Sequence, residues 1–400
     1  MMTTAVRIPV SDADPFDLTT LADPHPMHAA LRDAGPVVHL RRYDIYAMAR
    51  YEQVHAALVN WQDFQSGAGV GMSNFRLEKP WRPPSLLLEA DPPRHDAPRR
   101  VLSAILGQRE LRRLRERWFA DAQQLVDEVV AHDEFDAVEQ LTEAFPLRVF
   151  PDAVGLPPED RHHLLPYGNH LFNTFGPAND LVAAGAHAAP EHAAWVNTRC
   201  TRDMLTPDGF GARIWAAADR GDITAEQAPL IVRSLLSAGV DTTVHALGAV
   251  LHALAVHPEQ WRALRERPAL ARVAFDEAIR WASPVQTFFR TATTDVQIPG
   301  SGTVPDGKKI LMFLAAANRD PRRWDDPDTY DLTRDPSGHV GFGFGLHQCV
   351  GQHVARLEAE ALLAALIQRV RTIEMVDDGV RQPNNTLRGW ESLPLRIRRT

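Results

Sequence analysis

Apolar residues recur along this chain with the spacing of amphipathic helices. Between residues 111 and 129, apolar side chains stand three and four positions apart, and arginines and acids fill the positions between them. This period predicts a surface helix that packs one face on a core. The same period runs through residues 230–256, 270–281 and 354–370, so long helices are the dominant predicted element.

Strand signals are short and occur in few places. Runs with strand character stand at residues 37–40, 43–48, 296–298, 309–313 and 393–397. Together the patterns predict a mainly α protein with small β-sheets, an α+β fold class. The 30 prolines lie mostly singly between helical segments, and no repeat or Gly/Ser linker divides the chain. We therefore expect one domain over residues 1–400.

Composition and charge narrow the possible functions. The chain has 43 lysines and arginines against 51 aspartates and glutamates, a net charge of −8. This balance argues against binding of nucleic acid by the whole surface. Only two cysteines are present, Cys200 and Cys349, so we expect no structural disulfide and a reducing compartment.

No segment has the pattern of an export signal or a membrane span. The N-terminal residues lack a long apolar stretch. The most apolar region, residues 230–256, is interrupted by charged and titratable side chains: Arg233, Asp241, His245 and His252. We therefore expect a cytoplasmic protein that does not bind a membrane.

A glycine-rich turn near the C-terminus delivers a cysteine to the start of a helix. The turn runs from Phe342 to Gly351 and carries Cys349, directly before a segment rich in Ala and Leu. Backbone N–H groups and the helix dipole at such a position favour a thiolate ligand. The alternative, a free buried cysteine beside an ordinary turn, does not account for the combined Phe, Gly, His and Cys spacing.

This turn resembles the haem-binding loop of the cytochrome P450 superfamily. The resemblance implies that Cys349 is the metal ligand and binds the iron of haem b on its proximal side. It also implies the cytochrome P450 fold, with a long central helix over the haem. The haem would then lie between the helix around residues 230–257 and the Cys349 loop.

Two further motifs support the same family. Glu277 and Arg280 stand one helical turn apart, which alone is most often a solvated ion pair. In the family the corresponding pair is buried and joined by a second arginine, here Arg334, as a structural triad. Asp241 and Thr242 lie inside an apolar helix and resemble the acid–alcohol pair of haem-thiolate monooxygenases. That resemblance implies catalytic roles, in which Thr242 hydrogen-bonds to dioxygen and Asp241 relays protons.

Cations at four places match the family's partners for the haem propionates. They are His95, Arg99, Arg290 and His347. Any one of them alone would more often be a solvated cation. The shared register with the other motifs favours cofactor binding.

Several segments resemble the bacterial branch of the family that oxidises para-substituted benzoic acids. By this resemblance, Arg82, Ser85 and Ser234 would hold the substrate carboxylate. The residues expected to enclose a flat ring and its para substituent are Leu88, Phe172, Phe175, Ser237, Ala238, Val285 and Phe288. The alternatives are core packing for the two phenylalanines of residues 172–175 and a surface cation for Arg82. Trp390 departs from the pattern, so the pocket volume stays open.

A local excess of positive charge suggests how electrons arrive. Residues 94–117 contain eight arginines and three acids. We expect this face to bind an acidic iron–sulfur ferredoxin that is reduced by a separate NAD(P)H-dependent flavoprotein. The activity expected is oxidation of a small aromatic acid, for example O-demethylation of 4-methoxybenzoate.

Other functions remain open at this point. One is oxidation of a different small hydrophobic substrate. Another is a haem-thiolate protein that uses peroxide or senses a gas, against which Asp241 and Thr242 argue. A third is a haem-free helical binding or scaffold protein.

Overall fold

The computed structural model describes residues 7–400 and confirms a mainly α fold with small sheets. Its α-helices, in chain order, are α1 Leu18–Ala22, α2 His25–Ala34, α3 Tyr51–Val59, α4 Asp96–Ile105, α5 Gln108–Val129, α6 Ala144–Val154, α7 Leu164–Asn173, α8 Asp180–Ala186, α9 Ala189–Arg199, α10 Phe210–Asp219, α11 Gln227–Ala238, α12 Asp241–Val256, α13 Pro258–Glu266, α14 Ala271–Ala282, α15 Leu314–Asn318 and α16 Gln352–Arg369.

The strands form one sheet of six strands and three smaller sheets. They are β1 Val10–Ser11, β2 Val38–Leu40, β3 Ile45–Met48, β4 Phe64–Gln65, β5 Glu134–Asp136, β6 Thr287–Ala292, β7 Val296–Ile298, β8 Gly302–Val304, β9 Lys309–Phe313, β10 Val370–Met375, β11 Val380–Gln382, β12 Gly389–Ser392 and β13 Pro394–Arg399. The orders are β1-β2-β3-β9-β6-β4, β10-β13-β5, β11-β12 and β7-β8.

The predicted helices and strands correspond closely to observed elements, with a few shifts. The periods at 111–129, 270–281 and 354–370 appear as α5, α14 and α16. The strand predicted at 43–48 begins only at Ile45, because residues Arg41–Tyr43 form a 3₁₀ turn that ends at Asp44 with φ of 49°. Strand β6 was not predicted, since five of its six residues are buried and its sequence does not alternate.

The apolar region at 230–256 is two helices rather than one. Helix α11 ends at Ala238 and α12 begins at Asp241. A Cβ on Gly239 would lie 2.4 Å from the ring of Phe150 and 2.6 Å from the carbonyl oxygen of Leu235. The missing side chain at this break therefore makes room for the ring of Phe150.

This pair of helices occupies the centre of the fold. Segment Gln227–Val256 has the length and hydropathy of a membrane span, yet 78% of its most apolar window is buried within the protein. Helix α12 packs against α14, which in turn packs against α16. Its apolar character is thus explained by packing in the core.

Glu277 and Arg280 form an ion pair with no exposure to solvent. Arg280 Nε and Nη2 donate to the two Glu277 carboxylate oxygens at 2.7 and 2.8 Å. Arg334 Nε donates to Glu277 Oε1 at 3.1 Å, so the three side chains meet as the resemblance implied. Arg280 also donates to three backbone carbonyls, which satisfies the buried guanidinium: those of Asn318, Pro327 and Thr329.

The same network reaches the cysteine loop through one asparagine. The carbonyl of Asn318 accepts from Arg280 Nη1 at 3.0 Å, and its side-chain Oδ1 accepts from the backbone N–H of Val340 at 2.7 Å. Val340 opens the turn that leads to Phe342, whose carbonyl accepts from the N–H of Cys349 at 2.8 Å. A continuous set of hydrogen bonds therefore joins α14 to the cysteine.

Removing one arginine from this network should lower the free energy of unfolding substantially. Arg280→Ala leaves the carboxylate of Glu277 buried without its main partner, and we expect a loss of about 3–5 kcal/mol in the free energy of unfolding. Urea denaturation measures the loss. Arg202→Ala, which breaks the exposed pair with Asp219, is the control and should cost much less. Equal losses in the two variants would contradict a stabilising role for the network.

Candidate functional site

A cavity lies between the α11–α12 break and the loop around Cys349. One side is formed by residues 234–246 of the broken helix and the opposite side by residues 341–351. The remaining wall comes from α7, β6 and the segments at 82–88 and 284–288. Helices α11 and α12 thus face the cysteine across one internal space.

Cys349 faces this cavity three residues before α16 begins. The backbone N–H groups of Gly351 and Gln352 donate toward its sulfur and lower the pKa of the thiol, but burial outweighs them and raises it overall. Gly343 and Gly345 both adopt positive φ, 67° and 66°, which glycine adopts without strain. A bound metal cation would favour the deprotonated thiolate here.

Four cationic or titratable side chains converge on one edge of the cavity from separate elements. Arg99, Arg290 and His347 line it, and the ring of His95 lies 5.0 Å from the ring of His347. His95 is 1% exposed, and neither of its ring nitrogens has a hydrogen-bond partner among residues 7–400, although Nδ1 lies 3.6 Å from Asp96 Oδ1. Arg290 Nε also has no hydrogen-bond partner in this range. Burial lowers the pKa of Arg290 to about 10.

Buried donors without acceptors on one edge, with a cysteine opposite a helix, fit a flat cofactor with anionic substituents. Unpartnered buried groups are costly unless a ligand satisfies them. Haem has carboxylates on one edge and an iron at its centre, and these side chains match both features. Asp91 also accepts from His347 Nε2 at 3.3 Å and orients that ring.

Thr242 and Asp241 lie on different sides of α12. Thr242 lines the cavity and its Oγ1 donates to the carbonyl of Ala238 at 2.7 Å. Asp241 does not line it; a Cβ on Gly168 would lie only 1.8 Å from its Oδ2. That oxygen has no partner among the described residues, and burial followed by the charge of Glu143 raises the pKa of Asp241 well above its usual range.

Aromatic and aliphatic side chains form the walls predicted from the sequence. The rings of Phe172 and Phe175 are 5.6 Å apart at 84°, and Phe288 lies 6.0 Å from Phe175. The other predicted wall residues also line the cavity: Leu88, Ser237, Ala238 and Val285. Trp390 does not line the cavity, so the doubt about its effect on the volume does not apply.

A polar group of side chains stands in the same cavity, and one of its members is already paired. Ser85 Oγ and Ser234 Oγ are 3.3 Å apart. Arg82 Nη1 lies 2.9 Å from Glu89 Oε2, an ion pair whose side chains are 13% and 3% exposed. Arg82, expected to hold a substrate carboxylate together with Ser85 and Ser234, is therefore already paired with Glu89, a carboxylate that the sequence analysis did not single out.

Two further polar residues at this position were missed. Arg233 is buried, lines the cavity and donates through Nη2 to the carbonyl of Pro83 at 2.6 Å, but makes no ion pair among residues 7–400. Burial lowers the pKa of Arg233 and raises that of Tyr167, which also lines the cavity. A signal was present, since an arginine in an apolar helical stretch needs a partner.

An asparagine network fixes the end of α7 against the segment before β12. Asn385 Nδ2 donates to the carbonyl of Asn173 at 3.0 Å and to Asn179 Oδ1 at 3.1 Å. Asn384 Nδ2 donates to Asn169 Oδ1 at 2.6 Å. Because α7 carries Phe172, this network sets the position of one aromatic wall.

Comparison with known proteins identifies the family. The family model described as Cytochrome P450 matches residues 216–396. A relative from Rhodopseudomonas palustris, cytochrome P450 CYP199A2, is 53% identical over 391 residues, which are 98% of this chain and 95% of the relative. The chain belongs to the cytochrome P450 family.

A second relative and a solved structure support the assignment of this chain to the P450 family. Cytochrome P450 107B1 of Saccharopolyspora erythraea is 30% identical and covers 97% of this chain and 98% of the relative. The solved structure of cytochrome P450 CYP109Q5 from Chondromyces apiculatus has a TM-score of 0.80 and 29% identity over 97% of this chain and 98% of that one. The protein is a bacterial haem-thiolate monooxygenase, and its cofactor is haem b.

Substitution of Cys349 tests the assignment of the iron ligand. The reduced protein with bound carbon monoxide should show the absorption band of thiolate-ligated haem, and Cys349→His should move it to the position of histidine-ligated haem. Cys200→Ser is the control, because Cys200 lies outside the cavity and burial raises its pKa to about 12. A wild-type spectrum already of the histidine type would refute the assignment.

The protonation of Asp241 can be measured through stability. Its raised pKa means that the folded carboxyl keeps its proton while the unfolded one loses it, so the wild type loses stability as pH rises above about 4. Asp241→Asn should therefore gain melting temperature relative to wild type between about pH 5 and about pH 8. Exposed Asp208→Asn should show no such trend. A difference independent of pH would mean that Asp241 is ionised in the fold.

Proposed function

We propose that this monooxygenase oxidises a small aromatic acid at its para substituent, with O-demethylation of 4-methoxybenzoate as the example to test. The observation that carries the proposal is the charge balance of the polar group in the cavity. Arg82 and Arg233 face one carboxylate, that of Glu89, which leaves one positive charge without a counter-ion. A substrate with a single carboxylate would neutralise this remaining positive charge.

The surroundings of this charge favour an aromatic acid over a flexible one. The hydroxyls of Ser85 and Ser234 stand beside the arginines and can donate to carboxylate oxygens. The rest of the cavity is apolar, with the ring faces of Phe172, Phe175 and Phe288 close to one another. A pocket with one polar end and flat apolar walls selects a ligand of the same shape.

Each residue then has a defined task in the reaction. The haem supplies the activation of dioxygen and the insertion of one oxygen atom into the substrate. We propose that Cys349 holds the iron, and that His95, Arg99, Arg290 and His347 hold the haem carboxylates. The carboxylate end of the substrate is held by the arginines and serines, which directs the para substituent toward the far end of the cavity.

Proton supply is assigned to the acid–alcohol pair. Burial raises the pKa of Asp241 well above its usual range, which favours the protonated carboxyl, and the next residue, Thr242, lines the cavity. A rotation of the Thr242 hydroxyl away from the Ala238 carbonyl would let this oxygen pass a proton into the cavity. Asp241→Asn removes the acid while keeping its shape.

We propose that electrons come from an iron–sulfur ferredoxin that docks on the arginine-rich surface of residues 94–117. Several arginines there are already paired with acids: Arg113 with Glu110, Arg115 with Glu360, and Arg117 with Asp121 and Asp152. The exposed arginines without an ion pair in the described residues are Arg94, Arg100, Arg109 and Arg112. These four are the ones available to an acidic partner.

We also propose that the chain is a single cytoplasmic domain. The largest hydrophobic cluster takes in residues from Leu86 to Ile397, and a second takes in residues from Val37 to Val340. Both clusters join distant parts of the sequence. A division into independently folding units would separate these contacts.

The substrate assignment is tested by comparing an acid with its amide. Arg233→Gln should weaken binding of 4-methoxybenzoate much more than binding of 4-methoxybenzamide, because only the acid supplies the missing charge. Glu89→Gln should have the opposite effect and strengthen binding of 4-methoxybenzoate, because it removes the carboxylate that competes with the substrate for the arginines. Haem spin-shift titrations measure both affinities. Equal affinity of acid and amide in the wild type would exclude the carboxylate anchor and favour a neutral hydrophobic substrate.

The partner surface is tested by charge reversal. Replacing Arg109 and Arg112 by Glu should slow reduction by a ferredoxin, with the largest effect at low ionic strength. Substrate affinity should not change, because neither residue lines the cavity. Arg202→Glu, on a distant exposed pair, is the control. Unchanged reduction rates at low salt would place the docking surface elsewhere.

A further inference from the structure

A second group of arginines lies close together outside the haem cavity. Arg319 follows α15, Arg381 lies on β11 and Arg388 directly precedes β12. None of the three lines the haem cavity. Two of them stack on tryptophans, Arg381 on Trp390 and Arg319 on Trp281, and we refer to these five residues as the arginine recess.

Aromatic rings hold the arginines of the recess in place. The Arg381 guanidinium carbon lies 3.4 Å from the centre of the Trp390 ring, and that of Arg319 lies 5.1 Å from Trp281. The ring of His252 bridges the two tryptophans, 4.6 Å from Trp390 and 5.9 Å from Trp281. Stacking fixes the direction of a guanidinium but does not use its N–H donors.

Those donors are poorly satisfied within the protein. Arg381 makes no side-chain hydrogen bond or ion pair with any residue in the range 7–400. Arg388 Nε is buried without a partner there, and its Nη2 reaches only the carbonyl of Ala22 at 3.4 Å. Arg319 makes more hydrogen bonds, because its Nε donates to the carbonyl of Trp281 at 2.8 Å and its Nη1 donates to Asp328 Oδ1 at 3.0 Å.

The charges around the recess do not compensate Arg381. Burial, and then the charge of Arg388, lower the pKa of Arg381 to about 9. The acids in range act on the other two arginines, Asp328 on Arg319 and the exposed Asp23 on Arg388.

The histidines of the recess add no charge. Burial, followed by the nearby arginines, lowers the pKa of both His25 and His252 to about 3. They are therefore neutral at physiological pH and can also donate one N–H each.

We propose that the arginine recess binds a phosphate-type oxyanion, held between the guanidinium groups of Arg381 and Arg388. Two planar forks of donors with one nearby acid suit a doubly charged oxyanion, which accepts bidentate hydrogen bonds from arginine. The ligand is a free phosphate or the phosphate group of a small molecule. Binding would satisfy the open donors and offset the repulsion between the two arginines.

The site has a structural link to the substrate pocket. Arg388 follows Leu387, which pairs with Val285 across an isolated β-bridge, and Val285 lines the haem cavity. Arg388 also donates its backbone N–H to the carbonyl of Pro284 at 2.8 Å. The recess is therefore separate from the pocket but shares its supporting segment.

The proposal is tested on the holoenzyme with inorganic phosphate as the probe. Phosphate should raise the melting temperature in a saturable way and give measurable heat in calorimetric titration, whereas acetate at equal ionic strength should not. Arg381→Gln and Arg388→Gln should each weaken phosphate binding at least tenfold. Arg398→Gln, an exposed arginine without an ion pair among the described residues, is the control and should bind as wild type does.

Several results would overturn the proposal. One is the absence of saturable binding to the wild type. Another is equal phosphate affinity in the wild type and both recess variants, and a third is equal stabilisation by acetate. Loss of binding in Arg233→Gln but not in Arg381→Gln would assign the phosphate to the substrate cavity instead. Two recess variants are used so that misfolding of one still leaves a decisive measurement.

Discussion

The buried carboxylate of Glu277 is the constraint on which the rest of the site depends. A carboxylate without solvent exposure is stable only with full pairing, and here Arg280 and Arg334 provide it. Arg280 has to reach Asn318 as well, and Asn318 holds the N–H of Val340. The turn that carries the cysteine is thus tied to α14 by interactions that tolerate little displacement.

The break between α11 and α12 organises the opposite side of the cavity. The ring of Phe150 packs where Gly239 has no side chain. Thr242 faces the cavity while Asp241 points toward α7, where burial raises the pKa of its carboxyl. Consecutive residues of an α-helix point about 100° apart, so the acid and the hydroxyl at the start of α12 face different surroundings.

The net charge that the pocket offers a ligand depends on which ionisable side chains are already in ion pairs, and not only on how many line the pocket. Glu89 neutralises Arg82, whereas Arg233 donates to a backbone carbonyl and has no counter-ion among the described residues. The arginine recess follows the same logic at a second place, where stacking on Trp390 positions Arg381 without satisfying its donors. In both places the cationic side chains outnumber the acids paired with them, and the two proposed anion sites rest on this imbalance.

Features that depend on near neighbours in the chain could be predicted from the order of amino acids alone. The helical period gave α5, α14 and α16, and the local spacing around Cys349, Glu277 and Thr242 identified the family. Which charges are already paired could not be predicted in this way, because the partners are far apart in the chain: Arg233 donates to a carbonyl 150 positions away and Arg334 to a carboxylate 57 positions away. The break at Gly239 also depended on tertiary contact, since the ring of Phe150 that occupies the space comes from another helix. The local sequence pattern indicates secondary-structure propensity and the chemistry of individual side chains. Ion pairing and burial depend on contacts that form only when the chain has folded.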